Sequence, residues 1–203
     1  MSGRCSRSFA GALVVLALVG VASCSSSTPL TTSPSSPRPE PSTAAAKPAL
    51  PPRPADLPLS GVKPCDLLTH AQTVQLAAEH TTPGSNNDGK DSPDCQWDNF
   101  GGPPDNGWLI RLELNQDASY YLASTTGAQI VQVGGFPAVQ SSSPTQNPNT
   151  HCIVLVDAAP KQTMYVLYTN LDGDYPGISH QVACQQADRV AEMAVGNLRR
   201  LHG

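Results

Sequence analysis

The chain has 203 residues, 12 of them basic and 16 acidic, for a net charge of −4. No long basic cluster is present, Arg199-Arg200 being the densest. Nucleic-acid binding, which needs a Lys/Arg footprint to displace counterions, is therefore disfavoured, as is electrostatic adhesion to anionic lipid.

Two positive charges, Arg4 and Arg7, precede the apolar run Leu13 to Ala22, which ends in Ser23-Cys24. A basic segment, an apolar stretch of about 7–15 residues and small residues before a cut site make a secretory signal peptide. The run is short of the roughly 20 residues that span a bilayer. The Val21-Ala22-Ser23-Cys24 end resembles a bacterial lipobox. The expectation is a signal peptide over 1–23 and a diacylglyceryl group on the Cys24 thiol. The chain would then sit on the extracytoplasmic face of the cell membrane, anchored by lipid. One acyl chain holds marginally, whereas two or three bury enough CH₂ groups, at about 0.8 kcal/mol each, for stable attachment.

From Cys24 to Pro58 the chain reads as a Pro/Ser-rich linker, because half of its 20 prolines fall there with almost no large apolar residue. Such a segment cannot bury enough surface to offset its ordering entropy. In polyproline form, at about 3.1 Å per residue, it would hold the domain up to roughly 100 Å from the bilayer.

Residues 59–203 suit one domain with one core. Thr69 and Gln72 fit a capping box, and Ala71, Val74, Leu76, Ala77 and Ala78 supply the apolar face of a helix that Thr81-Thr82-Pro83-Gly84 ends. A polar loop, 84–94, leads to strands at Cys95–Trp97 and Trp108–Leu114, the latter alternating. A short helix is expected over Ala118–Thr125. Strands Gln129–Val133 and Pro137–Gln140 follow, joined by a Gly134-Gly135 turn. Cys152–Val156 and Thr163–Thr169 are rich in β-branched and aromatic residues. A last helix runs from Ser179 to about Leu201, with Val182, Cys184, Ala187, Val190, Ala191, Ala194 and Leu198 at helical spacing. The fold class is α+β, a mostly antiparallel sheet of about five strands with the N-terminal and C-terminal helices packed on it.

With Cys5 lost in the signal and Cys24 lipidated, Cys65, Cys95, Cys152 and Cys184 remain, and an even count in an oxidising compartment reads as disulfides. Four cysteines allow three pairings. Joining sequence neighbours, Cys65–Cys95 and Cys152–Cys184, is preferred, each closing a loop worth roughly 3–4 kcal/mol. Zinc is the competing reading, but no Cys-x-x-Cys pair is present.

Pro64-Cys65-Asp66-Leu67-Leu68-Thr69, Cys95-Gln96-Trp97, Val133-Gly134-Gly135-Phe136-Pro137-Ala138-Val139, Cys152-Ile153-Val154-Leu155-Val156 and Ala183-Cys184 follow one another in an order that resembles the actinobacterial domain-of-unknown-function family 3558, which includes mycobacterial lipoproteins. The resemblance covers essentially the whole domain. It departs at Lys63, where such proteins often carry an acidic residue. It implies export, lipid anchoring and disulfides, and it supplies no catalytic residues.

Gly84-Ser85-Asn86-Asn87-Asp88-Gly89-Lys90-Asp91 nearly spells a phosphate-binding loop. Asp91 stands where a hydroxyl should hold Mg²⁺, and the flanking strand and helix are not predicted there. Asp88, Asp91, Asp94 and Asp98, and the turn Asp172-Gly173-Asp174, could hold Ca²⁺ but lack EF-hand spacing and read as solvated loops. His70, His80, His151, His180 and His202 lie in no hydrolase motif. Trp97, Trp108, Phe136, Tyr165 and Tyr168 read as core, while the Tyr120-Tyr121 pair must expose one ring more than the other and could meet a partner or glycan. The expected function is a non-enzymatic binding or scaffold domain of the cell envelope, without metal or cofactor. Its partner would be an envelope protein, a lipid or a cell-wall ligand. The alternatives are a carrier of an apolar ligand or lipid and a degenerate hydrolase.

Overall fold

Both halves of the capping box form at the start of α1 (His70–Gln75): the Gln72 N–H donates to Thr69 Oγ1 at 3.3 Å, and the Thr69 N–H donates to Gln72 Oε1 at 2.8 Å. This computed structural model describes residues 49–85, 92–101, 103–142, 147, 150–173 and 175–203. The signal peptide, Cys24 and the linker as far as residue 48 lie outside the described residues.

Helix α1 is shorter than its apolar spacing predicts. It closes in a Schellman turn: Ala77 takes φ 52°, its N–H donates to Val74 O, and the Ala78 N–H donates to Thr73 O. The apolar positions then part company, Leu76 being 5% exposed and Val74 62%. The chain leaves this turn as a strand, β1 (His80–Ser85), where a helix end and loop were expected. β1 lies at the sheet edge, the place that tolerates its Pro83. Gly84 leaves room there for the Asp94 side chain, since a Cβ would come within 1.7 Å of Asp94 Oδ1 and displace that carboxylate.

Among the described residues the sheet has seven strands rather than about five. β1 is followed by β2 (Pro93–Asn99), β3 (Asn106–Glu113), β4 (Gln129–Val133), β5 (Phe136–Ser141), β6 (His151–Ala159) and β7 (Gln162–Asn170). All pairs are antiparallel, in the order β1-β2-β3-β7-β6-β5-β4. Gly134 and Gly135, at φ 54° and 85°, make the tight β4–β5 turn, which needs positive φ at both central positions.

Helix α3 (His180–His202), capped by Ser179 Oγ accepting from the Val182 N–H, lies across β6 and β7. Its buried face is mostly small: Ala183, Ala187, Ala191 and Ala194 let the helix approach closely. The larger fully buried side chains, Trp97, Tyr168 and Phe136, come from the strands. One buried polar group tightens this layer. Asn197 Nδ2 donates to Leu67 O at 2.6 Å and to Gln72 Oε1 at 2.7 Å, joining α3 to the 3₁₀ turn Pro64–Leu67 and to α1.

Helix α2 (Ala118–Ser124) packs against β5 and β6 instead. Ala118, Val139 and Leu155 are buried there, apart from the main core cluster. Asp117 does not cap α2 with its side chain; its Oδ1 accepts from the Lys161 N–H at 2.8 Å. No helix among the described residues is long and apolar enough to cross a membrane.

Packing begins ahead of Leu59. Residues 49–58, read from composition as the linker's end, include Leu57, which is 5% exposed beside Leu59 at 1%. The Leu57 N–H donates to Ala158 O at 2.8 Å, and Arg53 Nη1 reaches Asp157 Oδ1 at 2.6 Å. In an extended segment residues two apart share a face, so Leu57 follows Leu59 into the core.

Candidate functional site

Along β3 and β7, alternate residues turn away from α3. Leu109, Arg111 and Glu113 stand opposite Leu167, Tyr165 and Thr163 on that second face. Helix α2 covers only part of it. The Arg111 guanidinium lies 5.3 Å from the Tyr165 ring centre, with Nε 3.8 Å from Asp94 Oδ2 and Nη1 4.0 Å from Glu113 Oε1. Its buried Nε has no hydrogen-bond partner among the described residues. Glu113 is itself buried and accepts from Ser92 Oγ at 3.0 Å.

Next to this cluster is a cleft of about 350 Å³ lined by Ser92, Glu113, Asn115, Gln116, Tyr120 and Tyr121. The tyrosine pair divides as expected. Tyr120 is 55% exposed, and its ring meets that of Tyr121 edge-on at 5.4 Å. Burial first, and then Glu113, push the Tyr121 phenol up to about 12, so it stays a neutral hydrogen-bond donor at physiological pH. An exposed aromatic face, two amides, a hydroxyl and a carboxylate suit a ligand with an apolar face and several hydroxyls.

A second cleft, of about 360 Å³, opens at the first turns of α3, where Gln140, Ser141, His180, Cys184 and Asp188 line it. Both disulfides form in the preferred pairing, Cys65–Cys95 and Cys152–Cys184, with Cα separations of 5.1 and 4.9 Å. His180 Nε2 lies 3.6 Å from Cys184 Sγ. The sequence reading passed over this pair, although its i, i+4 spacing on one helix was the available signal. Cys152, Cys184 and His180 place their ligand atoms within 4.8 Å of one another, but sulfurs joined in a disulfide are not the thiolates a metal takes.

His151, beside Cys152, is fully buried, and its Nδ1 lies 3.3 Å from Thr150 Oγ1. Burial first, with the His180 charge acting the same way, lowers its pKa below 6.5. The unfolded chain therefore takes up this proton more readily. Stability is expected to fall as pH drops from 6.5 toward the lowered folded value. Burial raises the Asp157 and Asp188 pKa above 3.8, which opposes this loss only at more acidic pH. Thermal melts should show the midpoint falling between about pH 7.5 and 5.5. The slope should flatten in His151→Asn, and an unchanged slope in that variant would refute the assignment.

The other sequence candidates scatter. Asp88 and Asp91 lie outside the described residues, as do Asp174 and most of the glycine loop. Among the described residues the element before that segment is a strand, β1, and the element after it is another strand, β2, rather than a helix that could receive a phosphate. Asp98 accepts from Gln96 Nε2 at 2.8 Å, and Asp172 Oδ2 accepts from the Asp105 N–H at 2.8 Å. Both are occupied within the structure. A wider cleft, about 710 Å³, lies between residues 49–56 and α2, where Leu50, Pro51, Pro52 and Ala123 line it together with Arg53, Asp56, Asp117 and Asp157.

No curated protein and no solved structure matches the chain. The family model described as "Protein of unknown function (DUF3558)" matches residues 19–197, from the end of the apolar run almost to the end of α3. The chain belongs to the DUF3558 family.

Proposed function

We propose that this protein is an exported lipoprotein, held to the extracytoplasmic face of the cell membrane through lipid on Cys24. Its domain works there as a non-enzymatic binding module for a polyhydroxylated ligand such as a cell-wall glycan. The observation that carries this reading is the Tyr120–Tyr121 cleft, where an exposed ring stands beside Glu113, Asn115 and Gln116. Aromatic rings cover the C–H face of such a ligand while amides and carboxylate take its hydroxyls, and a few convergent polar groups on an aromatic wall are the usual form of a small-ligand site. An apolar carrier needs a chamber within the core, and the space between α3 and the sheet is instead filled by Trp97, Tyr168 and Phe136.

The test is equilibrium binding of the full chain, in detergent, to soluble cell-wall glycan fragments. Tyr120→Ala should weaken binding at least tenfold, about 1.4 kcal/mol, while the melting temperature stays within about 2 °C, as befits a surface position. Unchanged affinity in that variant defeats the cleft assignment. Turnover of a glycan, ester or peptide, abolished by one substitution, defeats the non-enzymatic reading.

A further inference from the structure

A cleft of about 210 Å³ lies on the α3 side of the sheet, where β3 and β7 meet the end of α1 and the first half of α3. Gln186 and Arg189, three apart and so on one side of α3, line it with Gln75 and Leu76 from the end of α1. Trp108 of β3 forms another wall, its ring 5.9 Å from that of Tyr168. Trp108 is 3% exposed, and its indole Nε1 is a buried donor with no hydrogen-bond partner among the described residues. Orphaned donors of this kind are rare in folded proteins, because the hydrogen bond lost to water goes uncompensated.

The charge around the cleft points the same way. Among the described residues no carboxylate lines it, and Arg189 forms no ion pair. Arg189 Nη2 donates to Gln75 O at 3.4 Å, a long contact with one of the last carbonyls of α1. A guanidinium carries five N–H donors in a fixed fork, so most of them stay available. The Tyr168 hydroxyl donates to Asn106 Oδ1, and burial pushes its phenol up to about 12, so it brings no negative charge at neutral pH. Leu76, Pro104 and Ile178 supply the apolar part of the wall.

We propose that this cleft is a binding site for a carboxylate that carries a short apolar group. The Arg189 fork holds the carboxylate, the Trp108 N–H donates to one of its oxygens, and the apolar group lies against Leu76 and Ile178. The indole N–H is closed to bulk water, so the oxygen reaches it as the half-buried Gln186 side chain turns aside, and the bond then forms without competition from solvent. The volume suits a ligand of a few carbons, either a free short-chain acid or the C-terminal carboxylate of a peptide. The site faces away from the Tyr120 cleft and does not depend on ligand binding there.

The experiment records the indole N–H resonances of the full chain in detergent at about pH 7, where a carboxylate is ionised, during titration with isobutyrate. Trp108→Phe assigns the two tryptophan signals. The Trp108 proton should move downfield and saturate, with a dissociation constant near 1 mM, about what a ligand this small can reach. Isobutyramide, of the same shape without the charge, should bind at least tenfold more weakly. Arg189→Gln, at an exposed position, should weaken isobutyrate at least tenfold, and Arg189→Lys should restore part of the loss. A tripeptide ending in valine, with a free or an amidated C-terminus, distinguishes the sources. Preference for the free-acid peptide over isobutyrate assigns the site to chain ends, and the reverse order assigns it to free acids. No saturable shift with either ligand, equal binding of acid and amide, or unchanged affinity in Arg189→Gln would each overturn the proposal. Calorimetric titration of the unsubstituted and Arg189→Gln chains keeps the test decisive if Trp108→Phe fails to fold.

Discussion

Replacing Cys65 and Cys95 together with alanine is expected to lower the unfolding free energy by about 3–4 kcal/mol and the melting temperature by roughly 10 °C. The bond joins residues 30 apart, and cross-linking a loop of that size removes about this much conformational freedom from the unfolded chain. Cys95 is fully buried, so alanine is the proper replacement; serine would add the cost of a buried hydroxyl without a partner. The links that remain between the 3₁₀ turn and the rest of the domain include burial of Pro64 and Leu67 and the Asn197 hydrogen bond to Leu67 O. The structure should therefore survive the loss at room temperature while melting earlier. Thermal melts of the full chain, oxidised and with each cysteine pair replaced, measure the effect. A midpoint within about 2 °C of the unsubstituted chain would show that the bond does not constrain the unfolded state.

The features legible in the sequence are those whose physics is local. The Thr69–Gln72 capping box, the helical spacing of the apolar residues of α3 and the Gly134-Gly135 turn each depend on residues within a few positions of one another, and each stands in the structure as read. The preferred disulfide pairing also stands, because each bond joins near neighbours in sequence. What escaped depends on partners far along the chain. The apolar run Val74 to Ala78 has helical spacing, yet Ala77 adopts positive φ and the chain turns into β1, whose strand character comes from pairing with β2. Leu57 looked like linker because its partner carbonyl, Ala158, lies a hundred residues away. The candidate site shows the same division. Tyr120 and Tyr121 were visible as a pair with one ring exposed. The Glu113–Ser92 contact that furnishes the polar wall forms only when β2 and β3 align. His180 was dismissed for want of a motif, although its spacing to Cys184 put both on one side of a helix.

Trp97→Ala is expected to cost about 3–5 kcal/mol, the range for removing a large aromatic side chain from a packed core. Trp97 is 1% exposed and pairs in register with Trp108 across β2 and β3. β2 is held on its outer side by β1 alone, so little can move in to fill the space. Trp108→Phe provides the contrast. The Trp108 indole N–H is buried with no hydrogen-bond partner among the described residues, so replacing it removes an uncompensated donor along with some packing, and the net cost should stay below about 1.5 kcal/mol. Urea unfolding of the full chain distinguishes the two, with the midpoint falling sharply for Trp97→Ala and the slope unchanged. Comparable losses in both variants would mean that the Trp108 nitrogen is satisfied after all. The position also bears on the proposed binding cleft. Ser92 lies just ahead of β2, and Asp94 within it faces Arg111, so loosening the strand should weaken ligand binding even where the domain stays folded. Trp97→Ala should thus lower both stability and affinity, whereas Tyr120→Ala lowers affinity alone, and that difference separates a residue that shapes the cleft from one that touches its contents.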